Sequence, residues 1–247
     1  MSLAGRGIVV TRPRQLAEVL AASLESRGAR AIVFPAIEIE ALPPPDALRR
    51  LGDYTAVVFV SPSAVRIGMR AIGAWPAGVV AAAIGAGTRR ELERCGVGSV
   101  VSPAAGADSE ALLATPQMQD VAGKCILIVR GEGGRPFLGE ALATRGARVE
   151  YAESYRRRRP NADARALLEL WGSGAVHAVS LSSTEGVDNF RAMVGDAGAR
   201  LFLATPAFVP HARVASHVRP HAREVVVAGP GDDELVERLV AYFHDRT

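Results

Sequence analysis

The sequence predicts an α/β protein built as two small three-layer domains, each around a parallel sheet. Three observations lead there. Residues 5–30, GRGIVVTRPRQLAEVLAASLESRGAR, lie without a gap over residues 123–148, GKCILIVRGEGGRPFLGEALATRGAR, at a constant offset of 118. A second pair, AVVFVSPSAV at 56–65 and AVSLSSTEGV at 178–187, sets Ser61 opposite Ser183. Short apolar runs also alternate with helical patterns along the chain, an order that gives parallel strands with helices on both faces. Two copies at so long a period do not make a solenoid.

The elements follow in order. Ile8–Val10 reads as a strand that runs into a Thr11-Arg12-Pro13 turn. The next residues place Leu20 and Leu24 at helical spacing, and Gly28 ends that helix before a second strand. FPAIEIEALPPPDA at 34–47 alternates polar and apolar residues as an edge strand or linker does. AVVFV then enters a serine turn, Ser61 and Ser63, ahead of another helix. AAIGAGTRREL at 82–92 repeats the scheme with Gly85, Gly87 and Thr88, and pairs loosely with TPAFVPHARVA at 205–215. KCILIVRGEGGRPF at 124–137 delivers a strand into Gly131, Gly133 and Gly134, and a helix begins near Phe137. VEYAESYRRRRPNA at 149–162 is a second extended, linker-like stretch. The chain thus starts one domain, leaves to build the other, and returns.

Composition narrows the function. Among 247 residues, 49% are hydrophobic and 22% charged, an ordinary globular balance. The sequence shows neither a basic-then-apolar leader nor an apolar run of bilayer length, so we expect a cytoplasmic protein with no membrane association. A net charge of +3 with 5% aromatics argues against a nucleic-acid partner. Cys95 and Cys125 form no CxxC and are expected to be reduced. YRRRRP at 155–160 reads as an anion patch or as a solvated linker strand.

The turns carry the chemistry. In parallel α/β sheets ligands meet the C-terminal strand ends beside helix N-termini. The turns there offer hydroxyls, small residues and arginines to an anion: Thr11 and Arg12; Ser61 and Ser63; Gly85 and Thr88; Arg130 and Gly131; Ser182 and Ser183; Pro210 and His211. The glycine-rich loop is not a dinucleotide fingerprint, because Pro136 stands where the third glycine belongs, and no Gly-Lys-Ser/Thr makes it a P-loop. It remains an anion cradle or a plain turn that needs φ > 0. No G-x-S-x-G elbow makes Ser61 or Ser183 a nucleophile. His211, His217 and His221 lack metal-site spacing, so neither metal nor cofactor is expected.

The ordered set VVTRP, FPAIEIE, VFVSPSAV, AIGAGT, VRGEGGR, RGARVEYAESYRR and LSSTEGVDNF resembles the bacterial uroporphyrinogen-III synthase family over nearly the whole chain. The resemblance implies two flavodoxin-like domains joined by a two-stranded linker. Residues 1–36 plus 160–247 would form one domain and 41–152 the other, with 37–40 and 153–159 as linker strands. It implies a lyase of haem biosynthesis that needs no cofactor, and a monomer needs no extra assumption. The substrate would be hydroxymethylbilane, a linear tetrapyrrole with eight carboxylates, held in a cleft between the domains. Ring closure to uroporphyrinogen III, with loss of water and inversion of ring D, would follow, with transient contact with the deaminase that supplies the substrate. Tyr155 matches a family tyrosine facing the cleft and would help the hydroxyl leave; a linker tyrosine packed on a domain edge is the other reading. Ser61, Ser63, Thr88, Arg130, Gly131, Ser182 and Ser183 match family loop positions and would bind carboxylates. His211 would substitute as a donor where the family often has a hydroxyl-bearing turn. Arg12 and Gly85 join them as substrate ligands from their turns. A non-catalytic two-lobed module binding an anionic small molecule, and a nucleotide-dependent enzyme using the RGEGGRP loop, stay open beside this reading.

Overall fold

The computed structural model describes residues 2–246. The first elements are β1 (Gly7–Val10), α1 (Arg14–Ser26), β2 (Arg30–Val33) and β3 (Glu38–Ala41). Then come β4 (Ala56–Phe59), α2 (Pro62–Gly68), β5 (Val80–Ala83), α3 (Ala86–Arg94), β6 (Val100–Val101) and α4 (Ser109–Leu113). β7 (Cys125–Gly131), α5 (Phe137–Thr144) and the long β8 (Arg148–Arg158) follow. The chain finishes with α6 (Arg165–Gly172), β9 (Ala178–Ser180), α7 (Thr184–Leu203), β10 (Pro206–Val209), α8 (Ala212–Val218), β11 (Glu224–Val227) and α9 (Asp232–His244).

Two compact units result, Met1–Glu38 with Arg158–Thr247 and Ile39–Arg157. Among the described residues the first unit's sheet has the order β11-β10-β9-β1-β2, with parallel neighbours throughout. In chain order this is the 2-1-3-4-5 arrangement of flavodoxin-like sheets. The second sheet runs β3-β8-β7-β4-β5-β6, and β4 to β8 are parallel. Here β7-α5-β8 comes last in sequence instead of first, yet it takes the place that β1-α1-β2 takes in the other sheet. The second unit is therefore the first with its two halves in reverse chain order. β3 lies in this sheet as an edge strand beside β8, so the stretches read as linkers are part of a sheet.

Strand alternation builds both cores. Val9, Val179 and Val209 face one layer with Leu167, Trp171 and Phe190. Ile8, Val10 and Phe208 face the opposite layer with Leu20, Leu24 and Leu239. In the second unit Val57, Phe59, Leu127 and Val129 pack with Val65 and Leu92, while Val58, Ile126 and Ile128 pack with Leu138 and Leu142. Strands covered on both faces bury every side chain, which is why they read as continuous apolar runs.

The repeat is visible in the backbone. β1 and β7 begin at Gly7 and Cys125, and β2 and β8 begin at Arg30 and Arg148. Gly28 and Gly146 both end their helices at φ 86°, a left-handed conformation that disfavours any residue with a Cβ. The looser third pairing moves by three residues: the N-caps are Gly85 and His211. The shift accumulates where the short α2 of one unit is replaced by the long α7, which is interrupted at Gly195.

Candidate functional site

Each unit presents a mouth at the C-terminal ends of its central strands. In the second unit Ser61 caps α2: its backbone is extended and its Oγ accepts from the Ala64 N–H at 3.0 Å. The same Oγ lies 3.0 Å from the Tyr155 hydroxyl. Tyr155 does not face outward, since only 2% of it is exposed and its ring lies in the core. The cause lies in the ladder, where a register shift at Arg130/Gly131 brings Gly131 opposite Tyr155. A Cβ on Gly131 would stand 2.8 Å from the tyrosine ring, so only glycine lets the ring close over this strand end. Ser63 sits half-exposed in the first turn of α2. Gly85 precedes α3 in extended backbone, and a Cβ there would meet Ala107 at 2.6 Å. Thr88 lies in the first turn of α3 and is 3% exposed.

The glycine-rich loop holds a carboxylate that the sequence reading missed, the chain's own Glu153. Its Oε1 accepts from an Arg130 Nη at 2.9 Å and from the Gly133 N–H at 3.3 Å. Arg130 also donates to the Gly134 carbonyl at 2.9 Å and lies 3.9 Å over the Tyr151 ring. This arginine thus fastens its own loop. Arg130 and Glu153 are direct partners in the β7/β8 register, the signal that would have found the acid.

In the first unit Thr11 is buried and donates to the Ser180 carbonyl at 2.7 Å, tying β1 to β9 at the mouth. Arg12 follows and makes an ion pair with Asp232, the first residue of α9. No local spacing could have revealed that partner. Ser183 caps α7, accepting from the Gly186 N–H at 3.1 Å, and Ser182 is half-exposed beside it. His211 occupies the N-cap of α8 in extended backbone, exposed and without a side-chain cap bond. The other two histidines of the sequence cluster are elsewhere employed or placed: His217 Nε2 meets Asp188 at 2.7 Å, and His221 lies past the end of α8. Arg12 and Arg130, related by the repeat, share one further property. The Nε of each is buried without a hydrogen-bond partner.

The two mouths therefore hold serine caps, two half-buried arginines and glycine turns. No cluster of three or more metal-ligating side chains occurs among the described residues. In YRRRRP, Arg156 chelates Glu40 through two bonds of 2.9 and 2.6 Å. No helix among the described residues is long and apolar enough to cross a membrane.

A model of the family described as uroporphyrinogen-III synthase HemD matches residues 18–237. The uroporphyrinogen-III synthase of Salmonella typhimurium is 34% identical over 186 residues, covering 72% of this chain and 76% of that protein. That of Escherichia coli is 33% identical over the same shares. Among solved structures, a mutant uroporphyrinogen III synthase from the extreme thermophile Thermus thermophilus covers 97% of this chain and 98% of its own, at 21% identity and a TM-score of 0.63. The Helicobacter pylori enzyme covers 96% and 99%, at 14% identity and a TM-score of 0.61. At such identities these structures speak for the fold alone.

Proposed function

The chain belongs to the uroporphyrinogen-III synthase family, and from that premise we propose that it closes hydroxymethylbilane to uroporphyrinogen III without a cofactor. The observation that supports this most is the match of the family along the chain together with donor-rich mouths that suit a carboxylate-bearing substrate. Expulsion of the terminal hydroxyl is driven by the electron pair of the adjacent pyrrole: the C–O bond breaks, an azafulvene forms, and the oxygen leaves as water once it has gained a proton. A spiro intermediate then inverts ring D before the macrocycle closes. The protein's task is positioning, because the unguided closure gives the symmetric isomer.

Ser61 and Tyr155 offer a route for that proton. Ser61 Oγ takes a bond from the Ala64 N–H and sits beside the buried phenol. With the phenol donating to Ser61, the serine O–H turns outward to the departing hydroxyl, and Tyr155 replaces the proton it gives. Ser61, Ser63, Gly85, Thr88, Arg130 and Gly131 in one unit, and Arg12, Ser182, Ser183 and His211 in the other, serve the carboxylates. Of these, the exposed or half-exposed Ser63, Ser182 and His211 bind directly; Gly85, Thr88 and Gly131 shape the loops that do so. The enzyme acts in the cytoplasm as a monomer, taking substrate from the deaminase during a transient contact.

The test is the product isomer. Hydroxymethylbilane generated in situ by a deaminase is mixed with the protein, and the oxidised porphyrins are separated by chromatography. Type III is expected to predominate; type I alone, as in the protein-free control, would refute the activity. Tyr155→Phe is expected to lower the rate of type III formation about tenfold or more, less than the ~10²–10⁴-fold of a general acid acting directly, because the phenol acts through Ser61. An unchanged rate would remove the phenol from the proton route.

A further inference from the structure

The end of the first unit opposite its mouth carries a cavity that this reaction does not use. It opens at the N-terminal ends of β1, β9, β10 and β11 and measures about 360 Å³, within the ~300–1,000 Å³ of small-molecule sites. Three guanidinium groups reach its wall from distant parts of the chain: Arg6 ahead of β1, Arg223 ahead of β11, and Arg246 beyond α9. Glu224 offsets Arg246, at 3.3 Å from each carboxylate oxygen, and also accepts from the Tyr242 hydroxyl at 2.8 Å. Neither Arg6 nor Arg223 has a carboxylate within ion-pair distance among the described residues. Among the described residues, Glu224 is the one carboxylate bonded to these three cations. Such a gathering is unfavourable in itself and is relieved by an anion.

The wall is also ordered in advance. Arg6 lies 5.0 Å over the Phe243 ring and Arg246 3.9 Å over the Tyr242 ring, so cation–π contact fixes both guanidinium groups. His177 accepts the Gly7 N–H on Nδ1 at 2.9 Å, which leaves the proton of the neutral ring on Nε2 as a donor. Burial, and then the charge of Arg6, push this imidazole below its ordinary range, against a smaller opposing pull from the Ala175 backbone.

We propose that this cavity is a second binding site, separate from the mouths, for a small molecule bearing two or more negative charges as phosphate or carboxylate groups. Arg6 and Arg223 bind the charges with their planar forks, and the Tyr242 and Phe243 rings line the space beside them. Because these groups come from strand leads and from the end of α9, an occupant bridges the sheet to the last helix. The inference does not depend on the cyclisation chemistry.

A local reporter exists for the test. Thr205 lines the cavity, and its Oγ1 accepts from the Trp171 indole at 2.9 Å. The chain has two tryptophans, so Trp75→Phe leaves Trp171 as the only indole. In that background, pyrophosphate and citrate are titrated separately at constant ionic strength, reading Trp171 fluorescence and the melting temperature it reports. A saturable response is expected with at least one of them, with a rise in melting temperature of a few degrees at saturation. Arg6→Gln with Arg223→Gln should weaken the apparent affinity at least tenfold, and Arg223→Gln alone, at an exposed position, should weaken it about threefold or more. The tighter of the two probes identifies phosphate or carboxylate as the recognised group. No saturable response to either, or a response that both arginine variants leave intact, would overturn the proposal.

Discussion

Arg12 and Arg130 stand at the same place in two copies of one strand–turn–helix design, yet different means hold them. Arg12 pairs with Asp232, delivered by a helix that starts 220 residues later in the chain. Arg130 is fixed by its own loop and by Glu153 on the neighbouring strand. The repeat thus preserves what is local, namely strand, arginine, helix and terminal glycine. It does not preserve the acid, because the elements that surround each copy arrive in a different chain order. Duplicated sequence transmits a scaffold, while each copy acquires its own electrostatic partner.

The sharpest way to break this comparison is at the strand starts, where Gly7 corresponds to Cys125. A Cβ on Gly7 would stand 1.9 Å from the Ala175 carbonyl oxygen, a backbone atom that cannot turn aside. Gly7→Ala is expected to destabilise the first unit by about 3 kcal/mol, near the upper end of overpacking costs. Cys125→Ala should cost the second unit under ~1 kcal/mol, in the range of mild substitutions. Denaturant unfolding followed by Trp171 alone for the first unit, and by Trp75 alone for the second, separates the two. Equal losses would mean that the copies pack alike after all.

The serine caps give a smaller contrast. Ser183→Ala should cost about 1 kcal/mol, the value of a lost N-cap. Ser61→Ala also strips the buried Tyr155 hydroxyl of its partner, so about 2 kcal/mol is expected. Adding Tyr155→Phe to Ser61→Ala should recover part of the difference in the same unfolding measurement. No recovery would show that the hydroxyl is content without the serine.

The smallest effect concerns pH. All five histidines lie in the first unit. His177 and His221 are held below the ordinary imidazole range, chiefly by burial and further by nearby Arg6 and Arg191 respectively. As pH falls below about 6.5 the unfolded chain takes up protons that these folded histidines refuse, so the first unit loses stability. Above that pH the contribution is fully present. The second unit, without a histidine, should stay level over the same window. Parallel acid titrations of the two tryptophan transitions check this, and His177→Gln should flatten the first unit's slope.

These contrasts also mark what could be read from the sequence. Gly28 and Gly146, and Ser61 and Ser183, declare themselves because a helix end is a local event with a local chemical need. The strand runs declare themselves because both of their faces are buried. Glu153 was hidden by register: it meets Arg130 only once β7 and β8 are laid side by side. Asp232 was hidden by distance along the chain. Tyr155 lay in a linker-like run, and its burial follows from a ladder irregularity opposite a glycine, which no alternation pattern encodes. The arginines of the mouths were legible as residues, but their partners belong to tertiary structure.

The chain order of the two units sets a timetable for synthesis. β1 sits between β2 and β9, so when β1, α1 and β2 leave the ribosome one face of the central strand's hydrogen bonding has nothing to pair with. The entire second unit must be translated before β9 emerges, on the order of ten seconds at usual elongation rates. Throughout that interval the nascent fragment carries an open, apolar strand edge of the kind that recruits chaperones or foreign strands. The second unit, contiguous in sequence, is free to fold first and to separate the halves of its neighbour as they wait. Slowing translation inside the second unit should therefore lengthen the vulnerability of the first.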